Sequence, residues 1–279
     1  MGKLRTLLGI AGVVVMVLIY IGTHMRNSAI KHYNAGVDAD AKNDTQTAMT
    51  EYREAIRIDK DNGNAHMNLG LDLQRAGKSD EAIAELKEAI RIKKEDPNPH
   101  YNMGVVLGSL GKRDEAIGEY REAVKYDPKN VDSYYNLGVT FDDKHEYDQA
   151  IAMYRQAIAL DKNHAKSHSN LGLILDNQNK SSEAVSEYRE SIRLDNNNAG
   201  AHYNLAVHLD NDGKNDEAIT EYKETLRIKP AHAKAHNNLG TCLETKGQKD
   251  AALAEYKAAL QADPNMDTAK KNLERLTAQ

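Results

Sequence analysis

Six of the eleven histidines fall into a row: His32, His66, His100, His168, His202 and His236, spaced by 34 residues or twice that. Imidazole binds zinc and moves protons near neutral pH, so such a row invites a metal or acid–base reading. The spacing argues against both. Units stacked at helix-packing distance would set the rings about 10 Å apart, whereas ligands of one ion lie about 2 Å from it. A packing role within each unit fits better. The carboxylates of the "DEAI" and "EYREAIR" runs recur in nearly every unit, where an active site would be unique. They read as first-turn acids and a solvated helix face. Cys242 is alone, which excludes an intramolecular disulfide framework and a cysteine zinc cage. No phosphate loop, nucleophile elbow or zinc-binding helix motif occurs. No catalytic residue, metal or cofactor is expected.

One polar residue in the same row is harder to dismiss. In "HYNMG", residues 100–104, Asn102 stands between Tyr101 and Met103 in an apolar run. Helical residues advance by about 100°, so Asn102 lies roughly 200° around from Gly104. If Gly104 faces a partner helix, Asn102 faces away from it. The same residue recurs as Asn34, Asn68, Asn136, Asn170, Asn204 and Asn238, and again as Asn272.

These side chains need a repeated frame, and the sequence supplies one. "HYNAG", "HMNLG", "HYNMG", "YYNLG", "HSNLG", "HYNLA" and "HNNLG" follow one another at steps of 34. Ala48, Ala82, Ala116, Ala150, Ala184, Ala218 and Ala252 come twelve residues after the small residue that ends each motif. Four further on stand Tyr52, Leu86, Tyr120, Tyr154, Tyr188, Tyr222 and Tyr256. Seven units over 29–266 follow (29–62, 63–96, 97–130, 131–164, 165–198, 199–232 and 233–266), with position 1 of each at its first residue. The apolar spacing in each unit is that of two helices, parted by a Gly stop and an acidic start as in "GKSDEAI". No unit can bury its own apolar face, so stability must come from stacking. The segment 267–279 keeps Asn272 and Leu273 in register but carries Glu274 where Gly would stand, and reads as a capping helix.

This pattern resembles the tetratricopeptide repeat (TPR) family, in the Leu-Gly pair of the first helix and the small–aromatic–small spacing of the second. Pro128, Pro230 and Pro264 match the family's terminal Pro; His mostly replaces its bulky residue at position 4. The resemblance implies an all-α TPR solenoid, a right-handed superhelix of antiparallel helix pairs, whose first helices line a concave groove. The repeats are similar to the TPR superhelix of O-linked N-acetylglucosamine transferase, where groove asparagines hold the backbone of an extended peptide; no segment here corresponds to that enzyme's catalytic domain. The likeness implies a peptide-binding ladder of Asn34, Asn68, Asn102, Asn136, Asn170, Asn204 and Asn238. An amide can pair with both C=O and N–H of a peptide unit. At about 10 Å per rung and 3.3–3.6 Å per extended residue, seven rungs would span roughly 20 ligand residues. Tyr101, Tyr135 and Tyr203 adjoin the ladder at position 5, beside an apolar track at position 9. Asp142, Asp176 and Asp210 at position 12 would favour neutral or basic segments. The competing reading makes the amides a solvated surface and the acids solvated helix ends. The carboxylate clamp for acidic chaperone tails is absent, since position 5 carries no Lys and position 9 is mostly apolar.

Composition bounds the remaining choices. Charged residues make up 28% and the net charge is −5, which argues against a nucleic-acid binder. Few Pro and many Ala, Glu and Lys suit an all-helical chain. After a short basic start over 1–5, residues 6–23 run without a charge. As a helix they would reach about 27 Å, close to hydrocarbon thickness. They are expected to form a transmembrane signal-anchor, followed by a linker over 24–28, with a cleaved signal as the alternative. Lys3 and Arg5 favour an extracytoplasmic repeat domain on a single-pass membrane protein, periplasmic in a bacterium. The expected function is a membrane-anchored protein-interaction scaffold; the alternatives are a self-assembling module or a non-catalytic subunit of a membrane complex. "NDT" at 43–45 and "NKS" at 179–181 match the glycosylation pattern, a short motif frequent by chance.

Overall fold

The computed structural model describes residues 2–278, with side chains at residue 16 and from residue 18 onward. Fifteen α-helices occur among the described residues. Seven pairs run in chain order: α1 (Gly2–Asp40) with α2 (Thr45–Ile58), α3 (Gly63–Arg75) with α4 (Ser79–Ile92), and α5 (Pro97–Ser109) with α6 (Arg113–Tyr126). Then come α7 (Val131–Asp143) with α8 (Tyr147–Leu160), α9 (Ala165–Asn177) with α10 (Ser181–Leu194), and α11 (Ala199–Asn211) with α12 (Asn215–Ile228). The last pair is α13 (Ala233–Thr245) with α14 (Lys249–Ala262), and α15 (Asp267–Thr277) follows. The fold is an all-α solenoid of helix pairs.

Local chemistry sets the helix boundaries. Asn62 and Asn198 cap α3 and α11, their side-chain oxygens accepting the amides of Ala65 and Ala201 at 3.0 and 3.1 Å. At α9 and α13 the imidazoles of His164 and His232 do the same work. Between the two helices of a pair the chain needs one left-handed residue. Gly77, Gly111, Gly213 and Gly247 supply it in four repeats, and Asn43, His145 and Asn179 in the others. The two glycosylation-like motifs thus begin at the turn residue, where Asn is favoured for its backbone conformation.

The chain divides into two compact units, residues 1–136 and 137–279. In the first, Tyr52, Leu69, Leu73 and Leu86 are sealed among the alanines Ala48, Ala55, Ala65 and Ala82. In the second, Tyr154, Tyr188, Tyr222 and Tyr256 are each fully buried, beside Leu137, Leu171 and Leu175. Each tyrosine ring covers the small residue of its own first helix. A Cβ on Gly104 would come 2.6 Å from the Tyr120 ring, and one on Gly138 equally close to Tyr154. The glycine therefore seats a ring, in addition to letting two helices approach. In the repeat of Tyr222 the small residue is Ala206, and both are fully buried, so one methyl is accommodated there. Burying a ring removes about 150–250 Å², on the order of 4 kcal/mol of transfer free energy before entropic costs.

The expected transmembrane helix is corrected by the structure. Among the described residues, no helix is long and apolar enough to cross a membrane. Most of the 6–23 segment has side chains outside the described residues. Its end is described: the apolar run Leu18–Ile21 meets Thr23, His24, Arg26 and Asn27 within the next two turns, in unbroken helix. The expected linker over 24–28 is part of that helix. α1 continues to Asp40 and serves as the first helix of the first pair. The single-pass membrane localisation, with its extracytoplasmic repeat domain, loses its basis with the anchor.

Candidate functional site

The asparagine row lies on the first helices, and the structure divides it into rungs of different kinds. Asn34 is exposed, while Asn68, Asn102, Asn136, Asn170, Asn204 and Asn238 are half-buried. In most rungs the amide is already engaged by the protein. Nδ2 of Asn68, Asn170 and Asn204 donates to the hydroxyl of Tyr52, Tyr154 and Tyr188, each at 3.2 Å. Each of those tyrosines belongs to the second helix of the preceding repeat. Asn238 donates to Tyr222 at 3.3 Å and reaches Tyr203 at 3.5 Å; Asn136 donates to Tyr101 at 3.3 Å. Asn102 is different because Leu86 occupies the tyrosine position before it. Among the described residues, the side chains of Asn34 and Asn102 make no hydrogen bond.

The position-5 tyrosines support this arrangement. Tyr101 and Tyr203 are half-buried, with ring centroids 6.1 and 6.0 Å from Tyr120 and Tyr222. Tyr203 also lies 4.7 Å from the His232 ring. Tyr135 is half-buried at the equivalent place. Burial pushes the Tyr101 and Tyr203 hydroxyls above their ordinary pKa, so both stay protonated at neutral pH.

The acids at position 12 are largely spent within the protein. Asp40 accepts the Tyr52 hydroxyl at 2.6 Å and an Arg75 N–H at 3.2 Å. Glu244 accepts from Tyr256 at 2.8 Å and from Arg275 Nη2 at 2.7 Å. Asp176 Oδ1 lies 3.0 Å from His208 Nε2, out of line for a hydrogen bond. Asp210 faces Cys242, whose thiol is pushed up to about 12 by burial and by that carboxylate. Asp142 is half-buried, its carboxyl raised by burial and by the charge of Asp143.

These contacts follow a rule that the helical wheel did not expose. In three places position 12 of one repeat meets position 10 of the next: Asp40 with Asp72, Asp176 with His208, and Asp210 with Cys242. Asp72 is the extreme case, with no exposed surface. Its Oδ1 accepts from Arg75 Nη1 at 2.7 Å, and its Oδ2 has no hydrogen-bond partner. Burial and the nearby Asp40 raise the Asp72 carboxyl to about 6, against the pull of Arg75. Its position varies among the repeats, from Asp38 and Thr140 to Val106 and Ile174, so the sequence alone did not mark it.

Three family models match the chain, all described as tetratricopeptide or TPR repeats, over residues 73–111, 107–144, 131–164, 169–231 and 203–267. No curated protein gives a significant match. Among solved structures, YrrB, described as a TPR protein with an unusual peptide-binding site, is similar at 24% identity. It aligns over 68% of this chain and 97% of its own, with a TM-score of 0.59. PilF of Pseudomonas aeruginosa aligns at 20% identity over 77% of this chain and 96% of its own, with a TM-score of 0.67. A tetratricopeptide repeat protein from Parabacteroides merdae aligns at 18% identity over 91% of this chain and all of its own, with a TM-score of 0.62. At these identities the likeness shows the fold. With the repeat models matching most of the chain between residues 73 and 267, the chain belongs to the tetratricopeptide repeat family.

Proposed function

We propose that this protein is an interaction scaffold whose first-helix faces hold extended peptide segments through the asparagine row. The observation that carries the reading is the orientation of the amides. A tyrosine hydroxyl takes one N–H of Asn68 and one of Asn204, which leaves each of these amides a carbonyl oxygen and a second N–H. A fixed amide loses less rotamer freedom on binding than a free one, which favours capture of a ligand backbone. Asn34 and Asn102 keep their full set of donors and acceptors. The peptide-binding site described for YrrB, and the transferase-like "AHYNLA" and "AHNNLG" runs, point the same way.

The acids refine the ligand less than their number suggests, because Asp40, Asp176, Asp210 and Glu244 already face partners. A preference for basic segments would centre on Asp142, and the other rungs favour neutral ones. The test is to select binders from a random 20-residue peptide display library on the full chain. The winners are then measured against N102A/N136A/N170A/N204A. Loss of binding by a helical variant supports the reading, and retained affinity rejects it.

A further inference from the structure

The histidine row has a chemistry of its own. His32, His66, His100, His168, His202 and His236 each place Nδ1 2.5–2.7 Å from a glutamate on the second helix of their own repeat, 19 residues on. The partners are Glu51, Glu85, Glu119, Glu187, Glu221 and Glu255. The remaining repeat lacks both members, with Tyr134 at the histidine position and Met153 at the glutamate position. In four repeats the other nitrogen is engaged too. Nε2 of His66, His168, His202 and His236 lies 2.9–3.2 Å from the carbonyl of Lys60, Lys162, Asn196 and Pro230, at the end of the preceding repeat.

A ring with acceptors on both sides satisfies both only as imidazolium, since a neutral imidazole carries one N–H. From this geometry we infer that the histidine–glutamate pairs of His66, His168 and His202 are proton-dependent staples, binding their second helix and the preceding loop to the first helix below neutral pH and loosening above it. Other charges near the rings fit the assignment. Glu88, Glu190 and Glu224 stand on the same second helices, bound to Arg91, Arg193 and Arg227. His236 has the His232 ring nearby.

For His66, burial pulls the pKa down, but the Glu85 hydrogen bond, the Lys60 carbonyl and the charges of Glu85 and Glu88 outweigh it. For His168 and His202 the glutamate hydrogen bond is the leading cause and also raises it. A histidine raised in the folded chain contributes its full stabilisation below the unfolded value of about 6.5 and loses it as pH rises through the folded value. Asp72 acts in the same sense over a lower window. The folded chain retains a proton there up to about 6, so stability falls as pH rises from the unfolded value near 3.8. These four groups therefore favour the folded chain toward mild acid, and the lowered His232 opposes them.

Thermal unfolding of the full chain, followed by circular dichroism from pH 6 to 8.5, tests the inference. The wild-type Tm is expected to fall by about 5 °C or more. E85Q/E187Q/E221Q keeps shape and acceptors but removes the charges, and should lose at least half of that fall. A charge-matched variant at exposed sites, E95Q/E115Q/E217Q, should keep the wild-type slope. Equal slopes in all three proteins, or equal flattening in both variants, would overturn the inference. Should the triple variant fail to fold, ring nitrogen shifts in the wild type decide: imidazolium at pH 7 for His66, His168 and His202 supports the staples, and neutral rings refute them.

Discussion

Asn204 and Asn102 occupy the same position in two repeats, yet their surroundings give them different work. Asn204 donates to the Tyr188 hydroxyl at 3.2 Å and thereby ties its repeat to the preceding one. Asn102 follows Leu86, which offers no hydroxyl, and its amide stays uncommitted. Both are half-buried, so exposure does not separate them. The difference teaches that a repeated polar residue can be at once a joint between repeats and a face for a ligand. The rungs where the joint is missing are the ones that can report on the ligand alone.

The strongest way to break the comparison is to remove both amides singly. Asn204→Ala leaves the Tyr188 hydroxyl without its donor and should cost about 1 kcal/mol in denaturant unfolding. Asn102→Ala should stay within about 0.5 kcal/mol of wild type. Equal costs would erase the distinction. A smaller effect should sharpen it. Leu86→Tyr places a ring over Gly70 as Tyr120 lies over Gly104, and gives Asn102 a hydroxyl to bind. Peptide affinity should then fall about two- to threefold with stability within about 1 kcal/mol, read by fluorescence anisotropy and thermal melts.

Much of this was legible in the sequence because the period repeats the physics. Ala48 and its equivalents, the glycines at position 8 and the tyrosines at position 24 stated the packing of each helix pair before any coordinates. What was not legible is what one repeat does to the next. A wheel places Asn204 on the outer side of its own helix, but the Tyr188 hydroxyl reaches it from another helix sixteen residues earlier. The His–Glu pairs had a visible sign, a fixed 19-residue spacing that fails only where Tyr134 meets Met153, but a packing reading of the histidines hid it. Asp72 stands at a position that varies from Asp38 to Val106, so only the packing of the next repeat shows that it is buried. The anchor was misread for the converse reason. A hydropathy run from Thr6 to Thr23 was treated as an element, whereas helix formation does not stop at Thr23, and α1 continues to Asp40.

The central claim is that the asparagines hold a ligand as well as the fold, and Asn34 with Asn102 tests it most directly. Neither amide is bonded within the described structure, so their removal should leave the Tm unchanged. Titration of N34A/N102A with a fluorescent library-selected peptide that spans both rungs should then show about tenfold weaker binding than wild type. Unchanged affinity in a folded variant would contradict the account.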